Sequence, residues 1–574
     1  MLALIFLLFH TLNQDLFETE QEKDFETILF ELENLKNNPV DLNTADLREL
    51  SKIPFLKPAD CLKIIGYREK FGSFETVDGL LKIKGFDREF VELIRPYLTV
   101  KTKPFKWQAV QNRLRLQKEL DKVGSEEYYT KNIFAMQDYK IFIVTEKDPY
   151  ESSFLDYYSA GVLIDEGKRK FALGNYNLDF GSGIILSSTG TFFQGTDFRL
   201  LTREWGITPY TSTMENGGFF GSALTDTLFI NYALFYSNQK LDGRIDTSGY
   251  ARSFDPSGNH TDSASNAHKD RIREEIFGYN IRYIKDKILL GQTTYWSDYE
   301  PSFVCSDSTI GFYGKNYFMT GFNLNYYADR FILFAEFARS FQNRLGSIFG
   351  WVGLLPYNFE FNIAGKYFNP GYYAPKGAEA DKDYIGLYFD LNNNSPIVHA
   401  GTTVNIYTNN QADTNRYDLK FNLGKKIGFT DIKINLRWLY CDDYKEISSS
   451  RIFLRFKIKR FLYFDLRLEE KYDYRDSLKR GIFDGVELGI DTRFVDAKCR
   501  YGLFDTDSYS TRIYVYEPDL PGIINNRMVY GKGRYGFIYC SIKPTKNISI
   551  TMKFTLLEKI STKKELGIQL DTKF

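Results

Sequence analysis

The sequence predicts a mainly β chain: a large antiparallel transmembrane β-barrel preceded by a small all-α domain. Three observations carry this expectation. Of 574 residues, 50 are Phe, 41 Tyr and 5 Trp, 17% of the chain, and aromatic side chains favour strands. From about residue 105 onward, apolar and polar residues alternate with a period of two over runs of about ten residues. Between residues 39 and 100 the apolar period is instead helical, with Gly and Pro punctuating it at short intervals.

Composition excludes several classes. The 74 Lys+Arg balance 74 Asp+Glu, which argues against a chain that coats nucleic acid electrostatically. An apolar fraction of 43% excludes disorder. A mean hydropathy of -0.35, with no run near the ~18 apolar residues that a spanning helix needs, excludes a bundle of transmembrane helices. The cysteines (Cys61, Cys305, Cys441, Cys499, Cys540) and histidines (His10, His260, His268, His399) are scattered. They show no zinc or iron–sulfur spacing, so no metal and no cofactor is expected.

Residues 1–14 open with MLALIFLLF, which resembles the apolar core of a secretory signal, although no basic residue precedes it. Residues 15–38 are acidic, with Phe25, Ile28, Leu29, Leu32 and Leu35 at helical spacing. One amphipathic helix with a solvated acidic face is expected there.

Residues 39–104 read as two helix, hairpin, helix units. Asn43 or Thr44 is placed to cap a first helix, with Asp46 completing a capping box and Leu47 and Leu50 facing inward. Pro58 suits the first turn of a second helix that carries Cys61, Leu62, Ile64, Ile65 and Tyr67 and stops near Gly72. A second pair runs from Val77 to Leu81, through the turn Ile83-Lys84-Gly85-Phe86-Asp87, to Phe90–Tyr97. This stretch, with Leu42-Asn43, Ala45, Leu50, Tyr67-Arg68, Lys70, Gly72, Phe74, Leu80-Leu81, Gly85 and Pro96-Tyr97, resembles the tandem helix-hairpin-helix domain of competence-type periplasmic DNA receptors.

The resemblance implies phosphate contacts from hairpin amides and nearby cations: Lys57, Lys84, Gly85 and Arg88, with Lys52 beside them. Glycine lets the backbone approach a phosphate, and amides at the following helix start donate to it. Two departures weaken that implication. Phe55 and Lys57 stand where the first hairpin would have glycines, and Asp87 stands where the second would have its next one. Asp87 can cap its own helix and use the donors a phosphate would take. Residues 38–103 hold 12 Lys+Arg and 10 Asp+Glu, a small excess for a duplex-binding surface. A structural or protein-docking role therefore stays open beside DNA binding.

In residues 105–574, Ile432, Ile434, Leu436, Trp438 and Tyr440 alternate with Lys433, Asn435, Arg437 and Leu439. Ile452, Leu454, Phe456 and Ile458 alternate with Arg451, Phe453, Arg455 and Lys457, and Ile548, Ile550, Met552, Phe554 and Leu556 repeat the pattern. Short turns (543–546, 424–428) and long polar loops (248–271, 373–383) separate such runs, as in a barrel with turns at one rim and loops at the other. At about 20 to 28 residues per strand and connection, an even number of roughly 16 to 22 strands is expected. Arg451, Arg455, Lys457, Asp465, Arg467 and Glu469 fall on the inward side with both signs, which suits either a salt-bridged interior or a selective channel.

The chain closes on KELGIQLDTKF, with Leu566, Ile568, Leu570 and Phe574 on one face. This resembles the C-terminal strand by which bacterial outer-membrane proteins are read by the barrel-assembly machinery. The segments 173–186, 212–224, 266–275 and 514–522 further resemble large outer-membrane proteins of Bacteroidetes-like bacteria that fuse a helix-hairpin-helix module to a barrel. The resemblances imply an outer-membrane protein in contact with lipid, its helical domain in the periplasm. The module's partner is then DNA, or a periplasmic or envelope protein that it docks; alternatively it plugs a porin-like barrel. No enzyme is expected: G-x-S-x-G and H-E-x-x-H are absent, and the glycine pairs near Gly181 precede no helix. His268 with Asp270 and Glu274 is the one grouping that could hold a cation, and a long polar loop is the preferred explanation of it.

Overall fold

The computed structural model describes residues 35–36, 39–53, 56, 58–100, 108–136, 138–151, 153, 156–166, 169–187, 204–255, 258, 260–304, 312–328, 330–378, 381–382, 384–394, 398–409, 414–442, 444–523 and 525–574. The leader-like residues 1–14 and nearly all of the acidic segment 15–38 lie outside them.

Among the described residues, those from Gln108 onward form a closed antiparallel barrel of 24 strands. Strands run from 9 residues (Tyr139–Lys147) to 16 (Ile288–Phe303). The count exceeds the roughly 16 to 22 expected because most connections at one rim shrink to two or three residues, as between Lys285 and Ile288 or Lys459 and Leu462. The expected turn at 424–428 narrows in the same way, since the strand Thr414–Ile427 runs through most of it. Closure is direct. Strand Gln108–Glu119 pairs with the last strand, Thr562–Lys573, from Gln111 opposite Lys573 to Glu119 opposite Glu565. Val110 and Phe574 extend it by exchanging two backbone hydrogen bonds of 2.9 Å. With an even strand number, both ends of the barrel lie at the short-turn rim.

The period of two places side chains as the sequence predicts. Leu566, Ile568, Leu570 and Phe574 are exposed on the outer face, as are Phe134, Ile143, Phe322, Phe337, Phe349, Leu488 and Ile538 on other strands. Inside, Arg451 pairs with Glu469 at 2.7 Å, Arg455 with Asp465 at 2.7 Å and Lys457 with Asp431 at 3.0 Å.

Long connections at the opposite rim turn back into the lumen. Glu336, inward on strand Phe331–Arg339, accepts from the amides of Ser182 (2.6 Å) and Ile184 (3.4 Å). The hairpin Ile513–Glu517/Asn525–Val529 is held from three walls: Arg115 donates to the Pro521 carbonyl, Arg500 to Tyr516 and Lys553 to Glu517 at 2.6 Å. Tyr176, Phe180, Ile184, Phe235, Tyr295 and Tyr372 pack into an apolar cluster inside the barrel. A 24-stranded wall is too wide for its own side chains to fill, so these segments supply the packing.

The module occupies the short-turn mouth. Its helices are α1 (Leu47–Ser51), α2 (Pro58–Phe71) and α3 (Arg88–Ile94), with a 3-10 turn at Val77–Lys82 between α2 and α3. Asp46, not Asn43 or Thr44, caps α1, in a capping box with Glu49. Asn43 instead joins the two halves, accepting from the Phe74 amide at 2.7 Å and donating to its carbonyl at 3.0 Å. Arg68 is spent on the carbonyls of Leu42 and Ala45. Leu50, Ile53, Ile64, Leu80 and Ile94 form a core that continues into the barrel through Ile332 and through Tyr516 of the in-folded hairpin. Lys63 reaches Glu360 at 2.7 Å and Asp60 at 3.4 Å. Burial opposes its charge, but the two carboxylates raise its pKa above the usual lysine value.

Removing one partner of a buried pair leaves the other charge uncompensated. Glu360→Ala is therefore expected to weaken seating of the module by about 3 kcal/mol. It should speed limited proteolysis within residues 39–100 while leaving the barrel heat-modifiable on gels.

Candidate functional site

The second hairpin is the candidate phosphate site whose backbone the described residues cover in full. Gly85 has φ +98°, a backbone conformation that favours glycine, and it turns the chain between the 3-10 segment and α3. Lys84 and Arg88 are exposed on either side of it, with Lys82 close by. None of these three makes an ion pair among the described residues. Arg95 is drawn away from them by Asp78 (2.5 Å) and Glu92 (2.9 Å). Asp87 accepts from the Phe90 amide at 2.8 Å and caps α3, as its position in the sequence implies. Its other carboxylate oxygen lies 3.5 Å from Lys426 of the barrel. The first hairpin is less informative: Lys57 lies outside the described residues, and Lys52 is exposed at the end of α1. Lys63 and Arg68 are engaged in seating and folding the module.

Residues 35–99 match the helix-hairpin-helix motif family. Over 62 residues the module is 39% identical to ComE operon protein 1 of Bacillus subtilis strain 168. That alignment covers 11% of this chain and 30% of the relative, so this chain spans under a third of that relative's length. Among solved structures, a ferric enterobactin receptor variant of Pseudomonas aeruginosa aligns with TM-score 0.42 at 7% identity, covering 83% of this chain and 81% of the receptor. The P pilus usher PapC pore aligns with TM-score 0.37 at 8% identity, covering 81% and 98%. The siderophore receptor PirA of Acinetobacter baumannii gives 0.39 at 10%, covering 83% and 82%.

A second concentration of chemistry lies among the long connections. The structure does not bring His268, Asp270 and Glu274 together. His268 bonds Asp255 at 2.7 Å, and Glu274, fully buried, bonds Gln239, Tyr299 and Lys376. His260 is the buried imidazole, with Asp156 on Nδ1 and Asp242 on Nε2, each at 3.0 Å. Glu151 with Asp156 and His260, and Glu215 with Asp242 and His260, are donor sets whose ligand atoms converge within 4.8 Å. Imidazole with carboxylates is a donor set suited to a divalent transition metal. Three separate connections supply these residues, so no local spacing in the sequence signals them. The four described cysteines, Cys61, Cys441, Cys499 and Cys540, form no disulfide among the described residues.

Burial first, and the Asp242 carboxylate next, push Glu215 up to about 9. A carboxyl raised in the folded state favours folding fully below its unfolded pKa, and that contribution is lost as pH rises toward the folded value. In chelator-treated protein, hydrogen exchange of residues 148–156 and 260–270, corrected for intrinsic rates, is expected to be slower at pH 5 than at pH 8. Glu215→Gln should remove most of that difference.

Proposed function

We propose that this chain is a bacterial outer-membrane protein whose barrel carries a periplasmic helix-hairpin-helix module that binds DNA through its phosphate backbone. The membrane placement is supported by the outer face, where Leu116, Phe134, Leu234, Phe337, Leu387 and Leu503 represent apolar side chains exposed around the whole circumference. So large an apolar surface is stable only when covered, and a closed barrel leaves no unpaired strand edge in hydrocarbon. Short turns lie on the periplasmic side in bacterial barrels, and the module's position at the short-turn rim supports a periplasmic module.

The observation that carries the DNA reading is the second hairpin, with Lys82, Lys84 and Arg88 exposed around a left-handed Gly85. Similarity to ComE operon protein 1 over the same residues supports it. Asp87 limits affinity, because it occupies an amide and adds a negative charge. The reading is of a binding and anchoring protein, not an enzyme. A second reading, a plug or docking domain for an envelope protein, is favoured by the Lys63–Glu360 contact in the mouth. The two are compatible if the seated module keeps its second hairpin outward.

Purified full-length protein in detergent is expected to bind duplex DNA without sequence preference. Three phosphate contacts would give a slope of about -2 to -3 for log affinity against log salt. Reversing Lys84→Glu with Arg88→Glu should abolish binding, and Asp87→Asn should strengthen it several-fold. Binding indifferent to salt and to charge reversal would leave only the plug or docking role.

A further inference from the structure

The inner wall is not covered evenly. On most strands the inward charges are buried under the in-folded connections, as Arg115, Glu336, Arg500 and Lys553 are. One sector differs, made by the adjacent strands Thr414–Ile427 and Thr430–Cys441. Its inward side chains Arg416, Lys420, Lys426 and Arg437 remain 48, 41, 49 and 47% exposed. Lys433 lies on the same face, between Lys426 and Arg437. The two strands themselves set only Asp418 and Asp431 against these five cations, and Glu446 of the next strand lies 4.0 Å from Arg416.

The register makes the arrangement costly for stability alone. Lys420 stands directly opposite Arg437, and like charges in such a pair repel. Asp418 lies between them, 2.7 Å from Arg437 and 3.6 Å from Lys420, while Asp431 is shared with Lys457. From Lys426 to Arg416 the row covers ten residues, about 33 Å of strand, which at a barrel tilt of about 40° rises about 25 Å, the height of the apolar band of such a wall. Its lower end meets the module, where Lys426 approaches Asp87. The second hairpin, whose Lys84 and Arg88 are exposed on either side of Gly85, thus abuts the lower end of the row at Asp87.

We propose that this sector is an anion track: a wetted passage along the inner face of residues 414–441 that binds and conducts phosphate-bearing and other anions between the second hairpin and the long-loop rim. Fixed cations beside low-dielectric walls concentrate counter-ions and exclude cations. The track depends on the barrel, not on DNA binding by the module, so the two proposals can fail separately.

The test is ion selectivity of the full-length protein in planar bilayers under a KCl gradient. The wild-type reversal potential is expected to have the sign of anion selectivity. Lys420→Glu with Arg437→Glu should invert that sign, and Lys420→Gln with Arg437→Gln should bring it near zero. Heat-modifiability on gels verifies that each variant retains its barrel. Inorganic phosphate and a short single-stranded oligonucleotide, added separately on the module side, distinguish small anions from a nucleic-acid strand by which one blocks the chloride current. Duplex binding is measured in parallel on the same preparations, so loss of anion selectivity and loss of DNA binding are read independently. A barrel without conductance, or one whose selectivity is unaffected by Lys420 and Arg437, overturns the proposal.

Discussion

Closure of the sheet is the constraint on which the rest of the structure depends. A strand edge in hydrocarbon would leave a row of amides and carbonyls with no water to satisfy them. The pairing of residues 111–119 with 565–573 removes that edge, and the Val110–Phe574 exchange carries it to the rim. An even strand number then returns both ends of the barrel to the short-turn side. The module, joined just before Gln108, is held near that mouth by chain connectivity before any side chain contributes.

Closing 24 strands creates a second problem, a lumen wider than the wall's own side chains can fill. The chain fills much of it with its long connections. These meet inward charges that would otherwise be stranded: Glu336 receives backbone amides, Lys553 receives Glu517, and Arg115, Arg467 and Arg500 receive backbone carbonyls. Unpaired, each would carry a large desolvation cost. Tyr516 then links this filling to the core of the module, so the two share an apolar contact. The sector at 414–441 is the part of the wall whose cations this filling leaves wetted.

Much of the fold was legible because its signals are periodic. The alternation at 432–440, 452–458 and 548–556 needs only the pleat of a strand to place it, and Leu566, Ile568, Leu570 and Phe574 indeed face outward. The helices were legible from Pro58, Gly72 and the apolar spacing between them, and the cap formed by Asp87 from its place after the hairpin. What escaped depends on contacts distant in sequence. Lys63 and Glu360 are 297 residues apart, and the surroundings of His260 come from three connections, so the nearer acids around His268 were the misleading choice. The strand count failed because it assumed longer average connections than the short-turn rim has. The segments 173–186, 212–224 and 514–522, singled out in the sequence by a family resemblance, include parts of the chain that fold into the lumen. Their constraint is packing inside a barrel, which leaves no simple period.

The seating of the module in the short-turn mouth is the claim that joins barrel, plug and hairpin. It is tested most directly by a proximity measurement: Lys63→Cys with Glu360→Cys, in a background without native cysteines and with a protease site placed in residues 101–107, treated with a short bismaleimide. After cleavage, residues 39–100 are expected to stay covalently attached to the barrel, while a pairing of Lys63→Cys with the outward Leu333→Cys should release them. Release from the Lys63/Glu360 pair as complete as from the outward control would contradict the account.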